Sequence, residues 1–253
     1  MLRALWSGAT GMNAQQMMID TISNNLANVN TTGFKRQRVQ FQDLYYQTLN
    51  LGRAQPISVG NGVRVGGTQR NFCQGNLERT DDPLNVAIEG EGFFAVETGD
   101  GEIRYTRDGS FRLDGEGRLV TSSGYPVVLE GGDTIPPNAE ELGIDEKGVI
   151  YGKVDGALRE FGRIVLTMFA NPAGLESVGG NLYRKTPQSG EENQVLPGEE
   201  GAGRIRGGYL ETSNVEIVTE MVNLIIAQRA FELNSKTVET ADQMWGIANN
   251  IKR

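Results

Sequence analysis

The strongest structural signal in the chain lies in its C-terminal residues from Asn214 to Arg253, NVEIVTEMVNLIIAQRAFELNSKTVETADQMWGIANNIKR, which contain no proline and one glycine. Large apolar residues recur there at every seventh position: Ile217, Leu224, Phe231, Val238 and Trp245. A sevenfold repeat keeps side chains on one face of an α-helix, as a coiled-coil interface requires. Burying five such side chains is worth roughly 8–15 kcal/mol, which a lone helix does not gain. We therefore predict a long helix that packs against a partner.

The beginning of the chain carries the same repeat. Within residues 2–29 the sevenfold row consists of Leu5, Met12, Ile19 and Leu26. The shared period predicts that this N-terminal helix pairs with the C-terminal one. An asparagine-rich run over residues 24–32, followed by Gly33, predicts the end of the first helix, because Asn and Gly accept left-handed backbone conformations. At the start of the second helix, Ser213 or Asn214 suits an N-cap, and Glu216 would complete a capping box.

The middle of the chain has the pattern of β-structure. Nearly all of the 34 glycines, and all eight prolines, lie between Pro56 and Gly208. Asp-Gly pairs favour type I′ hairpin turns, and here they separate short alternating runs: Asp100-Gly101, Asp108-Gly109, Asp114-Gly115 and Asp155-Gly156. Strands are predicted at 86–88, 93–96, 103–105, 111–113, 118–121 and 164–169. This block is predicted to be a small barrel or sandwich.

A segment of mixed character joins the first helix to this block. Residues 35–46 fit either a helix or a strand, Asn61-Gly62 offers another hairpin turn, and residues 63–65 fit a short strand. The predicted fold class is α+β: long N- and C-terminal helices paired as a coiled-coil-like core, with a central all-β domain rich in hairpins. The predicted domains are 1–33 with 212–253 for the helical core, 34–72 with 202–211 for a connecting β or extended region, and 73–201 for the β-rich outer domain.

Composition argues against most catalytic and metal-binding chemistry. The chain has no histidine, the commonest general base and zinc ligand. Its only cysteine, Cys73, rules out an intramolecular disulfide and is predicted to be a partly buried apolar residue. Residues 114–117 fit a hairpin turn better than a calcium loop, and Gly90-Glu91-Gly92 lacks the third glycine of a dinucleotide loop. We predict no active site, no metal and no cofactor, although a paired-carboxylate glycosidase site stays open as an alternative.

Charge and hydropathy limit the class of partner. A net charge of −8 argues against nucleic acid as the main partner. No apolar run approaches the length of a membrane span. The N-terminus has apolar residues at helical spacing without a continuous apolar core, which makes it a poor Sec signal peptide. The sequence therefore predicts neither nucleic-acid binding nor a membrane span.

Several motifs carry a resemblance to a known family. They are Ser7–Met12, Asn24–Lys35, Ile88–Phe94, Tyr105–Phe111, Gly208–Val215, Glu220–Val222 and Gln228–Glu232. Together they resemble the rod and hook family of bacterial flagellar proteins from end to end, and within it most closely the distal rod proteins of the basal body. The chain departs from distal rod proteins between Gln47 and Gly62, where it is shorter, in a region associated with rod stiffness.

The resemblance implies a structural subunit, not an enzyme. Such proteins polymerise into a hollow helical tube that crosses the periplasm, with the terminal helices inside and the β domains outside. The implied partners are further copies of the chain, the proximal rod proteins, the hook protein, the peptidoglycan-ring and outer-membrane-ring proteins, and the flagellar export apparatus. That apparatus would export the chain from the cytoplasm to the basal body without a Sec signal peptide. A proximal rod or hook-type subunit, and a secreted β-domain enzyme acting on the cell wall, stay as alternatives.

The predicted assembly interface lies on the terminal helices. Apolar residues outside the sevenfold rows, Trp6, Met17, Met18, Leu233 and Met244, indicate apolar surface on more than one helix face. The alternative is an ordinary helical hairpin that covers the core of one domain. The predicted interface residues are Leu5, Met12, Ile19, Leu26, Asn24, Asn25, Asn28, Ile217, Leu224, Phe231, Val238 and Trp245.

Overall fold

A computed structural model describes residues 2–49, 57–132 and 134–251. Two long α-helices, α1 (Leu2–Ala27) and α2 (Ile217–Ile251), stand at the two ends of the sequence, and short strands fill the chain between them. This order confirms the α+β class. The described residues contain no helix long and apolar enough to cross a membrane.

The described chain forms two compact units, each assembled from segments that are far apart in sequence. Unit 1 contains the described residues of 1–27, 37–71 and 215–253, and unit 2 those of 28–36 and 72–214. Residues 28–36, which directly follow α1, thus belong to the same unit as the β-rich middle of the chain.

Unit 1 consists of the two helices and two short antiparallel ladders. Its strands are β1 (Gln37–Asp43), β2 (Gln47–Leu49), β3 (Ile57–Val59) and β4 (Val63–Arg70). Strand β1 pairs with β4 and β2 pairs with β3. The β1–β4 register shifts between Gln40 and Phe41, where Gly66 of β4 is the extra residue. Helix α1 packs along α2 and also contacts β1 and β4. The open choice at residues 35–46 is therefore settled in favour of a strand. The turn predicted at Asn61-Gly62 does not form a hairpin, because the strands on either side of it pair with other strands.

The helix ends lie close to their predicted positions. Helix α1 ends at Ala27, inside the predicted asparagine-rich stop, and Gly33 has a positive φ of 65°. Helix α2 begins at Ile217, three residues after Asn214. The Asn214 side chain accepts a hydrogen bond from the Arg36 amide and donates one to the Cys73 carbonyl oxygen within unit 2.

Unit 2 contains a six-stranded and a four-stranded antiparallel sheet with three smaller ladders. The six-stranded order is β16-β17-β8-β7-β15-β18, the four-stranded order is β11-β14-β13-β12, and the ladders are β19-β6, β20-β5 and β9-β10. The ranges are β5 (Leu77–Arg79), β6 (Val86–Glu89), β7 (Phe93–Glu97), β8 (Ile103–Thr106), β9 (Arg112–Leu113), β10 (Leu119–Val120), β11 (Leu129–Glu130), β12 (Glu140–Ile144), β13 (Val149–Val154), β14 (Ala157–Ile164), β15 (Leu166–Phe169), β16 (Glu176–Gly179), β17 (Leu182–Arg184), β18 (Glu192–Val195), β19 (Arg204–Gly207) and β20 (Tyr209–Glu211).

Strand β7 separates two apolar clusters in unit 2. Its residues alternate between the two faces of the sheet, as the period of a strand requires. Phe94 and Val96 join the main core, to which both larger sheets contribute. Phe93 and Ala95 join a smaller aromatic cluster with Tyr183 and other rings on the opposite face. Both faces of β7 are covered, and this explains why its residues form a continuous apolar run. The sequence alone predicted a strand here but not that both of its faces are buried.

The Asp-Gly pairs differ in what they do. Asp155 and Gly156 both have positive φ, at 51° and 80°, in the two-residue loop between β13 and β14, and this confirms a type I′ turn. The pairs at 100–101 and 114–115 also lie in hairpin loops, but there the only positive φ values fall on Gly101 and Gly117. The predicted turns therefore exist at these two places with a different backbone geometry.

The turn predicted at Asp108-Gly109 is wrong. A Cβ atom added at Gly109 would lie 1.7 Å from the carbonyl oxygen of Val86, so this glycine is required by close backbone packing. The Asp108 carboxylate accepts hydrogen bonds from the hydroxyls of Thr32 and Ser110. Tertiary contacts therefore decide the conformation of this segment.

Candidate assembly interface

Two rows of side chains on α2 face the interior of unit 1. One is the predicted row, of which Leu224, Phe231 and Val238 are half-buried. Its two ends, Ile217 and Trp245, are 47% and 46% exposed. The second row, which was not predicted from the sequence, consists of Glu220, Ala227, Asn234 and Ala241. Asn234 is half-buried, and the other three are the most buried of the described α2 residues. The two rows alternate at steps of four and three residues, the spacing of a helix-pairing seam. A search for large apolar residues cannot find the second row, because its members are small or polar.

The predicted row on α1 lies beside the most buried positions. Leu5, Met12, Ile19 and Leu26 are all half-buried, and the buried residues are Gly8, Ala14, Ile22 and Asn25. The buried positions of α1 thus lie next to the predicted row, and two of them, Gly8 and Ala14, are small. The off-row residue Met18 is also half-buried, whereas Trp6 and Met17 are exposed.

Two glycines allow α1 and α2 to approach closely. A Cβ atom added at Gly8 would lie 2.8 Å from Val238 Cγ2, and one added at Gly11 would lie 2.9 Å from Asn234 Nδ2. Glycine inside a helix costs about 1 kcal/mol relative to alanine. Close packing against α2 gives a physical reason for keeping glycine at both positions despite this cost.

Asn25 holds the end of α1 inside unit 1. Its Nδ2 donates to the Gln37 carbonyl oxygen at 2.8 Å and to Glu220 Oε2 at 3.3 Å, and its Oδ1 accepts from the Gln37 amide at 2.9 Å. Asn25 is 1% exposed, so its polar groups serve internal structure. Of the other two predicted asparagines, Asn24 is exposed and Asn28 is half-buried, with its side-chain and backbone oxygens accepting from Thr31.

A band of apolar side chains on α2 points to solvent. Exposed large apolar residues between the start of the helix and position 226 are Ile217, Val218, Met221, Val222, Ile225 and Ile226. Further along the helix Leu233, Met244, Trp245 and Ile247 are also exposed. We call the first group the exposed band. Contiguous exposed apolar surface of this kind marks interaction sites in proteins.

A buried ion pair in unit 2 joins three distant parts of the chain. Lys35 Nζ lies 2.6 Å from Glu211 Oε1, and both side chains are fully buried. Lys35 also donates to the Cys73 carbonyl oxygen at 2.9 Å, and the Gly75 amide donates to Glu211 Oε1 at 2.8 Å. Burial lowers the pKa of Lys35, and the neighbouring Glu211 carboxylate acts in the opposite direction.

Arg107 adds a second cation to this cluster. Its guanidinium lies 3.5 Å from Glu211 Oε2, donates to the Gly90 carbonyl oxygen at 2.7 Å and sits over the ring of Phe93. Burial lowers the pKa of Arg107, opposed first by Glu211. We call Lys35, Arg107 and Glu211 the polar junction. A buried charge needs a partner of opposite charge and hydrogen bonds, and each of these three side chains has both. Within the described chain, the Nε of Arg107 is buried without a hydrogen-bond partner.

The polar junction explains what several motifs do. Lys35, Gly90, Arg107 and Glu211 belong to four motifs that are separated along the sequence. Backbone bonds extend the contact: the Gly33 amide donates to the Glu211 carbonyl oxygen at 2.8 Å. These motifs indicated a family in the sequence, and the structure brings them together as one buried network. Lys35 follows Phe34 and Glu211 follows Leu210, but apolar neighbours of this kind do not by themselves mark a charged residue as buried.

Cys73 does not fit its prediction. Its side chain is exposed, whereas its backbone carbonyl accepts from Lys35 and from Asn214 Nδ2. The prediction of a partly buried apolar residue is therefore wrong, because the backbone of this irregular segment makes the internal contacts. Among the described residues, no group of His, Cys, Asp or Glu is arranged to hold a metal ion.

Comparisons with known proteins agree along the chain. Three family models match: one described as a flagella basal body rod protein over residues 5–35, the flagellar hook protein FlgE/F/G D1 domain over 87–152, and the flagellar basal body rod FlgEFG protein C-terminal region over 206–251. These three ranges contain all seven segments that carry the sequence motifs.

Full-length relatives narrow the family. The flagellar basal-body rod protein FlgG of Borreliella burgdorferi is 48% identical, with 100% of each chain covered. The FlgG protein of Buchnera aphidicola subsp. Schizaphis graminum is 46% identical over 96% of this chain and 97% of its own. That of Caulobacter vibrioides is 43% identical over 99% of this chain and 100% of its own. With end-to-end identity at this level, the chain belongs to the FlgG family of flagellar basal-body rod proteins.

Proposed function

We propose that the chain polymerises with copies of itself into the distal rod, the drive shaft that transmits torque across the periplasm to the hook. The observation that carries the proposal is the exposed band on α2, a row of apolar side chains left in water by the single chain. Family membership supports a place in the basal body, and the band supplies a surface for self-association.

The helices divide the work between two surfaces in this proposal. Leu224, Phe231 and Val238, with the α1 row, form a coiled-coil-like core within one subunit. The exposed band contacts neighbouring subunits, where each half-exposed side chain would contribute about 1 kcal/mol on burial. The predicted interface thus separates into an inner set within the subunit and an outer set around Ile217 and the exposed band.

In this proposal each of the three domains predicted from the sequence has its own role in the rod. Residues 1–33 with 212–253 form the axial core, 34–72 with 202–211 connect it to the periphery, and 73–201 form the outer surface. Proposed neighbours are the proximal rod and hook proteins along the axis and the peptidoglycan-ring and outer-membrane-ring proteins around it. The flagellar export apparatus delivers the chain, with no Sec signal peptide required.

The test uses a strain in which the chromosomal copy is deleted. The wild-type chain should restore straight rods that reach the hook in electron micrographs of basal bodies. Val222→Asp places a charge in the exposed band, and desolvating an unpaired charge at each subunit contact should abolish rods and swimming. Ser235→Asp, which adds the same charge at an exposed polar position of α2, is the matched control and should leave rods intact.

Other outcomes discriminate the alternatives. In the deletion strain, rods that stop close to the cytoplasmic end would assign the chain to the proximal part of the rod. Rods that extend further and lack only the distal segment would assign it to the distal part. Curved polymers would support a hook-type subunit. Normal rods and swimming with Val222→Asp would contradict the assignment of the exposed band.

A further inference from the structure

The contact between Asn234 on α2 and the glycines of α1 is more specific than the apolar packing around it. A Cβ atom added at Gly11 would lie within 2.9 Å, 3.1 Å and 3.2 Å of Nδ2, Cγ and Oδ1 of Asn234. All three atoms of the carboxamide therefore lie directly over the Gly11 backbone. Any side chain at position 11 would have to displace this carboxamide.

The next turn of α2 repeats the fit. A Cβ atom added at Gly8 would lie 2.8 Å from Val238 Cγ2 and 3.5 Å from the Asn234 carbonyl oxygen. Asn234 and Val238 are four residues apart on one helix, and Gly8 and Gly11 are three apart on the other. Residues at these spacings lie on the same face of a helix. The four residues form a two-point contact, which we call the glycine seat.

The apolar rows alone do not specify how far α2 is displaced along α1. Each row repeats every seven residues, so a slip of seven residues again places large apolar side chains opposite each other. The glycine seat does not repeat, because Gly8 and Gly11 are the only glycines of α1. After such a slip the Asn234 carboxamide would face Ala4 or Met18, where a side chain occupies its space.

We infer that Asn234 is a positioning residue that sets the register of α2 on α1 through the glycine seat. A polar residue at one seam position specifies register in paired helices, at some cost in stability. A fixed register places the exposed band of α2 at the same position relative to α1 in every subunit. The inference rests on the proposed function only where its effect is read out as rod assembly.

The test is a double-substitution cycle in the full chain, expressed in the deletion strain. Gly11→Ala improves helix propensity, yet it should reduce the number of rods per cell about tenfold, because the new methyl group collides with Asn234. In chains that also carry Asn234→Ala, the same Gly11→Ala change should cost less than about twofold. Gly246→Ala is the matched control, since an added Cβ there meets no atom within 4 Å.

A second measurement does not depend on rods. The same purified full-length chains are unfolded by heat in trimethylamine N-oxide, which favours burial, while helix content is followed by circular dichroism. Gly11→Ala should lower the midpoint, Gly246→Ala should not, and Asn234→Ala should remove the difference. An unchanged or raised midpoint for Gly11→Ala, or equal damage with and without Asn234→Ala, would overturn the inference. If the wild-type chain fails to restore rods while this cycle holds, only the proposed function fails.

Discussion

At the scale of single residues, the polar junction is the feature whose stability depends most on exact pairing, because it buries three charged side chains. Lys35 and Glu211 are fully buried, and Arg107 is 3% exposed. Two cations share one carboxylate there, so the network depends on Glu211 more than on either partner. Removing one member of a buried ion pair is costly because the other charge stays buried without compensation.

We therefore expect Glu211→Gln to lower the free energy of unfolding of the purified chain by about 3–5 kcal/mol. The substitution keeps the size of the side chain and removes only its charge, so lost packing does not account for the effect. The measurement is urea denaturation, monitored by the β-sheet signal in far-ultraviolet circular dichroism.

An exposed ion pair in the same unit serves as the control. Glu176 accepts from Arg184 at 2.8 Å, with both side chains about half exposed. Glu176→Gln should change stability by less than about 1 kcal/mol. Equal effects of the two substitutions would contradict the role assigned to the buried network.

At the scale of elements, the helices depend on packing more than on local preference. Most helical stability in proteins comes from burying one face, and long isolated helices gain little in water. Helix α2 buries a narrow seam against α1 and leaves the exposed band uncovered. The helix pair is therefore expected to be the part of the chain most sensitive to changes at the seam.

Leu224→Asp or Phe231→Asp should separate the helices and abolish rod assembly and swimming. A carboxylate in the seam would be desolvated without a partner, which costs several kcal/mol. Because both positions lie in unit 1, the β-sheet signal of unit 2 should persist in circular dichroism of the purified variants. Gln228→Asp, at an exposed position of the same helix, is the control. Normal swimming in both seam variants would refute the role of the row.

At the scale of the whole molecule, the chain is a structural member of the FlgG family and not an enzyme. Its β-rich unit extends beyond residues 73–201, the range predicted from the sequence for the β-rich outer domain. Unit 2 includes residues 28–36 and continues to 214. Strands β19 and β20, beyond residue 201, pair with β6 and β5, and the polar junction needs Lys35 and Glu211 from the two outer segments.

A fragment of residues 28–214 is therefore expected to unfold cooperatively on heating. A fragment of residues 73–201, the predicted outer domain, lacks Lys35 and Glu211 and leaves Arg107 buried without its carboxylate, so it should resist proteolysis less and melt without a sharp transition. Limited proteolysis and calorimetry on the two fragments make the comparison. Matching cooperative transitions would show that residues 73–201 contain everything that unit 2 needs.

The sequence by itself determined the two helices, the strands β4, β6 to β10 and β15, the hairpin at Asp155-Gly156 and the family. Each of these depends on local periodicity, turn chemistry or motif order, which are properties of contiguous segments. Only the tertiary structure decided that the second row of α2 (Glu220, Ala227, Asn234 and Ala241) forms half of the seam. It also decided that Gly109 lies in a close backbone contact and not in a turn, and that Lys35 pairs with Glu211. Those outcomes depend on side-chain volume and charge at positions that folding brings together. A small residue, a buried charge and a close backbone approach carry no periodic signal, because their energy exists only when the distant partner is in place.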